Sequence, residues 1–567
     1  MDEPRRASPL RPASLRHGIV AIAALASWFG CSGRAPDSSA SVQASLGGIR
    51  ADEIARHMNT LAHDDLRGRF AGSEGYARAA AYVAENFEEF GLTPAGERGG
   101  FYQRVPLRQS TLDPERSRLV LELGGAEEIL APYVDYSMGA NDLHADVAAA
   151  GGVVYAGFAV TAPELGYDDF DGIDVRGKIV VAFSGAPPSF PHDERAYYSS
   201  SRVKGENLRA RGALGALWMR TPELEERHPF AKSVPNAKIP SMGWLDDAGG
   251  VQDAHQDDRL NARLSPAGAE KIFRGSPVSI DEVRAAIAAG TPESFPLPAR
   301  MSARTVTSHA NIECANVAAV LPGSDPVLGL EHLVLTAHLD HLGVGEPVLG
   351  DSVRNGAYDN ASGVAILLEL ARAFVRLDAP PARSILFLAV TGEERGLLGS
   401  DYFAHHPTVS AASLVANVNL DMVMMLQPLL DVTAFGAEHS SLLEPLEAAA
   451  ASVGVAVTPD PYPEEVIFVR SDQYSFVRQG VPSLFLVSGM RNRDPNVDGK
   501  QHQLDWFSNV YHTPQDDMAQ AFDFEAGGDF ARLNFLLAHA VADDTRRPTW
   551  NEGDFFGNRF ARPRAGE

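Results

Sequence analysis

The chain reads as an α/β protein with a mostly parallel central sheet, helices on both of its faces, and a β-rich insert ahead of the sheet's main run. Two observations predict this. In the second half, near-continuous apolar runs ("NVAAVLPG", "LVLTAH", "SILFLAVTGEE", "LVANVNLDMV", "VPSLFLVSG") alternate with stretches of helical periodicity. Strands covered on both faces lose the in-out alternation, and parallel neighbours need crossover helices. Upstream, residues 140–300 change texture: short buried strands, "GGVVYAGF" and "GKIVVAFSG", flank the acidic loop "ELGYDDFDGIDVRG". At 567 residues the chain exceeds one compact core, so two or three units are expected.

In chain order, Arg5, Arg6, Arg11 and Arg16 precede the apolar run "GIVAIAALASWFG", which ends at Cys31. A basic stretch before an apolar run too short to span a bilayer predicts a signal peptide over residues 1–31. A cysteine at that point resembles a bacterial lipoprotein signal. Export to the cell envelope or secretion is expected, with membrane attachment through a lipidated Cys31; plain cleavage near Ala26 or Gly30 is the alternative. Residues 32–48, small and polar, read as a tether. Residues 49–139 form the first part of the main unit. There Ile54, Met58 and Leu61 share one helical face, Ala79, Tyr82, Val83, Phe87 and Phe90 another, and Gly91 ends the second helix. Residues 118–136 look like strands. After the 140–300 insert, residues 301–545 carry the α/β texture, with Val364, Leu367, Leu368, Ala371 and Val375 on one helix face. Residues 546–567, rich in Pro and Arg, read as a surface tail.

Cys314 is the second of two cysteines, so a mature chain whose Cys31 is lipidated has no intramolecular disulfide to make. A net charge of -25, from 74 acidic and 49 basic side chains, argues against a nucleic-acid binder.

The chemistry gathers at strand ends. His338 follows "LVLT", Glu393 and Glu394 follow "ILFLAVTG", and Asp421 follows "VANVNL". In open α/β sheets ligands collect at the carboxyl ends of the strands. The loop "NGAYDNASGVA" brings Asp359 to the mouth of a helix, and "VYHTPQDD" supplies His512. Histidines and carboxylates in this number suit two adjacent metal sites that share one carboxylate. His341 reads as structural, and His405 and His406 as an exposed helix end.

"TAHLDH", "NGAYDNASGVA", "TGEERGLLGS", "NLDM" and "YHTPQDD", in that order, resemble the dizinc aminopeptidase family, which includes bacterial leucyl aminopeptidases, glutamate carboxypeptidases and the transferrin receptor. The upstream "LRGRFAGSEGYARAAAYVAENFEEFGLTPAG" is similar to that family's N-terminal segment, and residues 140–300 resemble its inserted protease-associated (PA) domain. The resemblance implies the zinc exopeptidase fold and two Zn2+ ions, with Mn2+ or Co2+ as substitutes. It implies one metal held by His338, Asp359 and Asp421, and the other by Asp359, Glu394 and His512. Glu393 would be the general base, and Asp340 would orient His338. The peptide bond Asp359–Asn360 would be cis. Gln473, in "SDQYSF", stands where the family often has a histidine. The implied activity is an exported aminopeptidase acting on peptides with the PA insert as a lid. A carboxypeptidase or dipeptidase, a glutaminyl cyclase and a non-catalytic receptor are the rivals.

Overall fold

The structure, a computed structural model, describes residues 38–562. The signal peptide, Cys31 and the beginning of the tether lie outside the described residues. At the centre, four parallel strands run side by side in the order Ser384–Val390, His332–His338, Leu414–Leu420, Ser483–Ser488. Antiparallel neighbours flank them: the end of Phe295–Leu321 on one side and Asp431–Phe435 on the other. All residues of Ser384–Val390 and Leu414–Leu420 are buried, which is why these strands show no polar alternation in the sequence.

Helices cover both faces, as the fold class requires. Leu333, Leu335, Ile385 and Phe387 face a core built with Ala51–Leu61, Glu74–Glu89, Ser362–Phe374 and Phe524–Asp543. Val334, Leu386 and Leu388 face the other way, onto Phe403 and Phe476. Ser362–Phe374 is buried on every side, not on one stripe alone, because Ala51–Leu61 and Phe524–Asp543 pack over its outer surface.

A second sheet has its own core, with Tyr155, Phe158, Phe183 and Leu217 at its centre. Its strands run in the order Ala126–Ile129, Arg118–Leu123, Phe295–Leu321, Asp146–Tyr155, Ile179–Phe183, Gly215–Met219, Leu260–Leu264, Tyr136–Met138. It therefore begins at Arg118, upstream of the change in texture at residue 140. Leu119 and Leu121, which alternate with exposed or half-buried neighbours, point into the second core and not the first. The 27-residue strand Phe295–Leu321 belongs to both sheets. Its residues 300–306 pair in the second sheet, and 307–321 pair in the first.

Two segments read as irregular are ordered. Within the expected tether, Ser38–Gly47 is an α-helix. Ser41 and Ser45, four apart, bury against the main unit, and Ser41 Oγ accepts the Asp378 N–H at 2.8 Å. Small side chains allow that close approach. In the expected surface tail, Phe555–Phe560 forms a short helix whose Phe556 is buried among Phe435, Phe468 and Phe485. Its apolar residues outweigh the Pro-Arg composition around it. Among the described residues no helix is long and apolar enough to cross a membrane.

Arg69 joins these layers beneath the sheet's functional edge. It is buried, and its Nε donates to Leu339 O at 2.8 Å. Nη1 donates to Leu61 O and Asn355 O, both at 2.5 Å, and Nη2 to Gly356 O at 3.0 Å. One guanidinium thus ties a helix end, a strand end and the loop before Asp359. Arg69→Lys keeps the charge but cannot reach all four carbonyls. We expect it to lower the unfolding free energy by about 3–5 kcal/mol, measured by urea denaturation; a loss below about 1 kcal/mol would contradict this role.

Candidate metal centre

Each side chain of interest is delivered by a strand end or an adjoining loop. His338 closes His332–His338, Asp421 follows Leu414–Leu420, and Glu393 and Glu394 sit on the turn after Ser384–Val390. Asp359 comes from the loop before Ser362–Phe374. That loop leaves Gly356 at φ +61°, where an added Cβ would lie 2.6 Å from His341 Cγ, so only glycine fits.

The Asp359 loop is held from two directions. Asp516 accepts the Tyr358 N–H at 2.8 Å and the Asp359 N–H at 3.1 Å on its two carboxylate oxygens. Asn360 Nδ2 donates to Leu420 O at 2.9 Å, and its Oδ1 accepts from Gly363 N and Met422 N. Asn360 therefore lashes the loop to the strand that delivers Asp421. The Asp359–Asn360 bond is cis.

The result is two clusters that meet at one carboxylate. His338 Nε2 lies 3.2 Å from Asp359 Oδ1 and 3.1 Å from Asp421 Oδ1. His512 Nε2 lies 3.1 Å from Asp359 Oδ2 and 3.3 Å from Glu394 Oε2. Asp359 offers one oxygen to each side. His338, Asp359 and Asp421 place one ligand atom each within 4.8 Å of one another, and so do His341, Asp359 and Glu394.

His341, read from the sequence as structural, is thus a member of the second cluster. It is buried, with Nδ1 2.6 Å from Glu394 Oε1 at an angle that makes no hydrogen bond. A contact this short pairs the imidazole directly with the Glu394 carboxylate and steadies it beside Asp359. The signal available in the sequence was its position three residues after His338 on the same strand-end loop.

Asp340 differs in detail from the expectation. His338 Nδ1 faces the Asp340 backbone carbonyl at 3.1 Å, while the carboxylate stands 3.9 Å away. Donation from Nδ1 to the carbonyl directs Nε2 at the carboxylates. The Asp340 carboxylate instead accepts the N–H groups of Glu393 at 3.1 Å and Glu394 at 3.4 Å, so it positions the glutamate turn. Burial pushes its pKa up to about 6.

Burial raises the Glu393 carboxyl well above its usual range; His338 draws it down, while Asp421, Glu394 and Asp472 push it up. Asp359 is held well below the usual range despite its burial, chiefly by hydrogen bonds from His338 and His512. Ser471 Oγ donates to Asp421 Oδ2 at 2.6 Å. Gln473 is buried, accepting from Asn419 Nδ2 and donating to Phe468 O, so it serves the scaffold and not an open cleft. His405 and His406 lie exposed, as read. A cavity of about 410 Å³ lies between the second sheet and the centre, lined among others by Arg202, Trp244, Arg395 and Asp401.

Strand-end geometry and donor set are those that a carboxylate-and-histidine metal centre would need. Residues 316–537 match the model of peptidase family M28. The fold is that of an aminopeptidase from Aneurinibacillus sp. strain AM-1, with TM-score 0.52 and 19% identity over 88% of this chain and 96% of that one. A probable zinc metalloprotease of Pyrenophora tritici-repentis is 48% identical over 68 residues, 12% of this chain and 15% of that protein. One from Pyricularia oryzae is 26% identical over 263 residues, 41% of this chain and half of that protein. The chain thus spans half or less of the length of these two relatives.

Two measurements check the site. Metal analysis of purified variants should find the wild-type content in Glu393→Gln and a reduced content in Glu394→Ala; unchanged content in Glu394→Ala would refute its role as a ligand. Asp516→Ala leaves two buried N–H donors unmet. It should cost about 2–4 kcal/mol in chemical unfolding and lower metal content as the Asp359 loop loosens.

Proposed function

We propose that the protein is an exported zinc-dependent aminopeptidase with two metal ions. The observation that carries this reading is Asp359 presenting one oxygen to the His338 cluster and the other to the His512 cluster, inside an M28 domain. The donor set suits zinc, and the relatives described as probable zinc metalloproteases favour that metal. His338, Asp359 and Asp421 would hold one ion; Asp359, Glu394 and His512, with His341 beside them, would hold the other.

Bound zinc would polarise the scissile carbonyl and make water nucleophilic near neutral pH. The remaining work falls to the chain. Glu393, kept basic by burial and by neighbouring carboxylates, takes a proton from the attacking water and gives it to the departing amine. Asp340 holds the Glu393 turn through its N–H groups. The carboxylates around the centre complement a free α-ammonium beside the scissile bond, which favours attack at the N-terminus. The second sheet, as a PA-type lid, closes the cavity and restricts peptide length. Export follows the N-terminal signal, with Cys31 as a lipid anchor.

One observation favours a dipeptidase or carboxypeptidase as the second reading. Arg395 lines the cavity directly after Glu394; its Nε is buried without a hydrogen-bond partner, and among the described residues its guanidinium has no ion pair. It could take a substrate carboxylate. Matched peptides separate the readings. N-acetylation should lower kcat/KM by about 100-fold or more while C-terminal amidation changes it little, and a chelator should abolish both activities. Loss on amidation with tolerance of acetylation would replace the aminopeptidase reading by the second. Glu393→Gln should lower kcat by about 10²–10⁴-fold.

A further inference from the structure

We propose a further divalent-cation site, apart from the strand-end centre, where Asp193, His439 and Asp554 clamp the second sheet's unit onto the main one. The three residues come from distant parts of the chain. Asp193 lies in the first turn of His192–Ser199, in the inserted unit. His439 ends the short turn after Asp431–Phe435, and Asp554 precedes Phe555–Phe560. Their ligand atoms all lie within 4.8 Å of one another.

His439 is built into the protein, not laid on its surface. Its side chain is 4% exposed, and the rings of Phe468 and Phe556 wall it at 5.0 Å. Nδ1 lies 2.7 Å from Asp554 Oδ2. Nε2 makes no hydrogen bond and points at Asp193 Oδ1, 3.7 Å away, a gap too wide for a hydrogen bond. Asp554 Oδ1 is already committed to the Gly557 N–H at 2.7 Å, which fixes the carboxylate while its Oδ2 holds the His439 ring at Nδ1.

The neighbours add to the imbalance. His192 Nδ1 stands 3.3 Å from Asp193 Oδ1. Its Nε2 and Asp460 Oδ2 are both buried without a hydrogen bond, 3.6 Å apart. Asp193, Asp460 and Asp554 therefore crowd two imidazoles with few hydrogen bonds to satisfy them. A cation in this cluster would sit between His439 Nε2 and Asp193, with Asp554 holding the ring through Nδ1 as a carboxylate behind a metal-bound histidine does, and would offset the crowded carboxylates. His439 Nε2 and the Asp193 carboxylate, with His192 beside Asp193 as a further donor, suit zinc or cobalt; calcium would want more oxygens. With ligands from two distant segments and Asp554 behind the ring, the site is structural: it cross-links the inserted unit to the turn after Asp431–Phe435 and, through Asp554, to the C-terminal helix.

The test compares full-length chains stripped with chelator and reloaded with Zn2+ alone. Wild type should hold about one zinc per chain more than Asp193→Asn or His439→Phe. Asp193 is partly exposed, and phenylalanine fills the aromatic pocket around residue 439, so both variants keep their cores. Zinc should also raise the Tm of wild type more than that of either variant. Equal zinc content in wild type and both variants, with equal Tm shifts, leaves only a salt-bridge network and overturns the proposal. Because the readout is a difference between chains with the same strand-end centre, it stands whether or not the peptidase reading holds.

Discussion

Concentrated negative charge is the constraint around which this protein is organised. Asp340, Asp359, Asp421, Asp472, Glu393 and Glu394 converge where the central strands end, with Asp516 directly behind. Like charges so close cannot all ionise in a low-dielectric setting without positive partners. His338 and His512, raised by the carboxylates despite their burial, supply some of that charge, and Arg69 lies beneath. The rest is what a bound cation would bring. The backbone around the edge follows from the same need. Asp340 and Asp516 are satisfied by main-chain N–H groups rather than by side-chain cations. Their donors are therefore fixed in place, and the ligand carboxylates they position remain free to face inward.

The parallel sheet was legible because burial on both faces leaves a direct trace in composition: Ser384–Val390 and Leu414–Leu420 have no polar stripe to hide. The strand-end positions of His338, Glu393, Glu394 and Asp421 were legible for the same reason, since the strand that delivers each residue is itself plain. Asp359 and His512 needed the family resemblance, because they lie on loops whose path no periodicity predicts. His341 stays ambiguous in sequence, because a histidine close behind a strand has the same local pattern whether it packs or ligates. Arg69 and Asp516 act through hydrogen bonds to backbone atoms far away in the chain, and such bonds leave no sequence motif. The Asp340 contact turned on whether a carbonyl or a carboxylate oxygen met His338, a matter of torsion angles alone.

At the edges of the units, composition pointed the wrong way. Ser and Ala in residues 38–47 suggest a tether, yet the same small side chains allow a helix to lie close against its neighbour. Arg118–Leu123 alternates as a strand of either sheet would, and only its pairing partner decides its place. Phe556 sits among Pro and Arg residues but is buried in an aromatic cluster beside His439.

The strand Phe295–Leu321 has a mechanical consequence. An inserted domain hung on two flexible linkers can swing freely and can melt before its host. Here the return path is a single 27-residue strand whose hydrogen-bond ladder passes from one sheet into the other without a break in the strand. Bending that beam would strain both ladders at once, so twisting about it costs less than hinging away. Heat should likewise dissolve the two cores in one cooperative event, because neither ladder can come apart without releasing a stretch of the other.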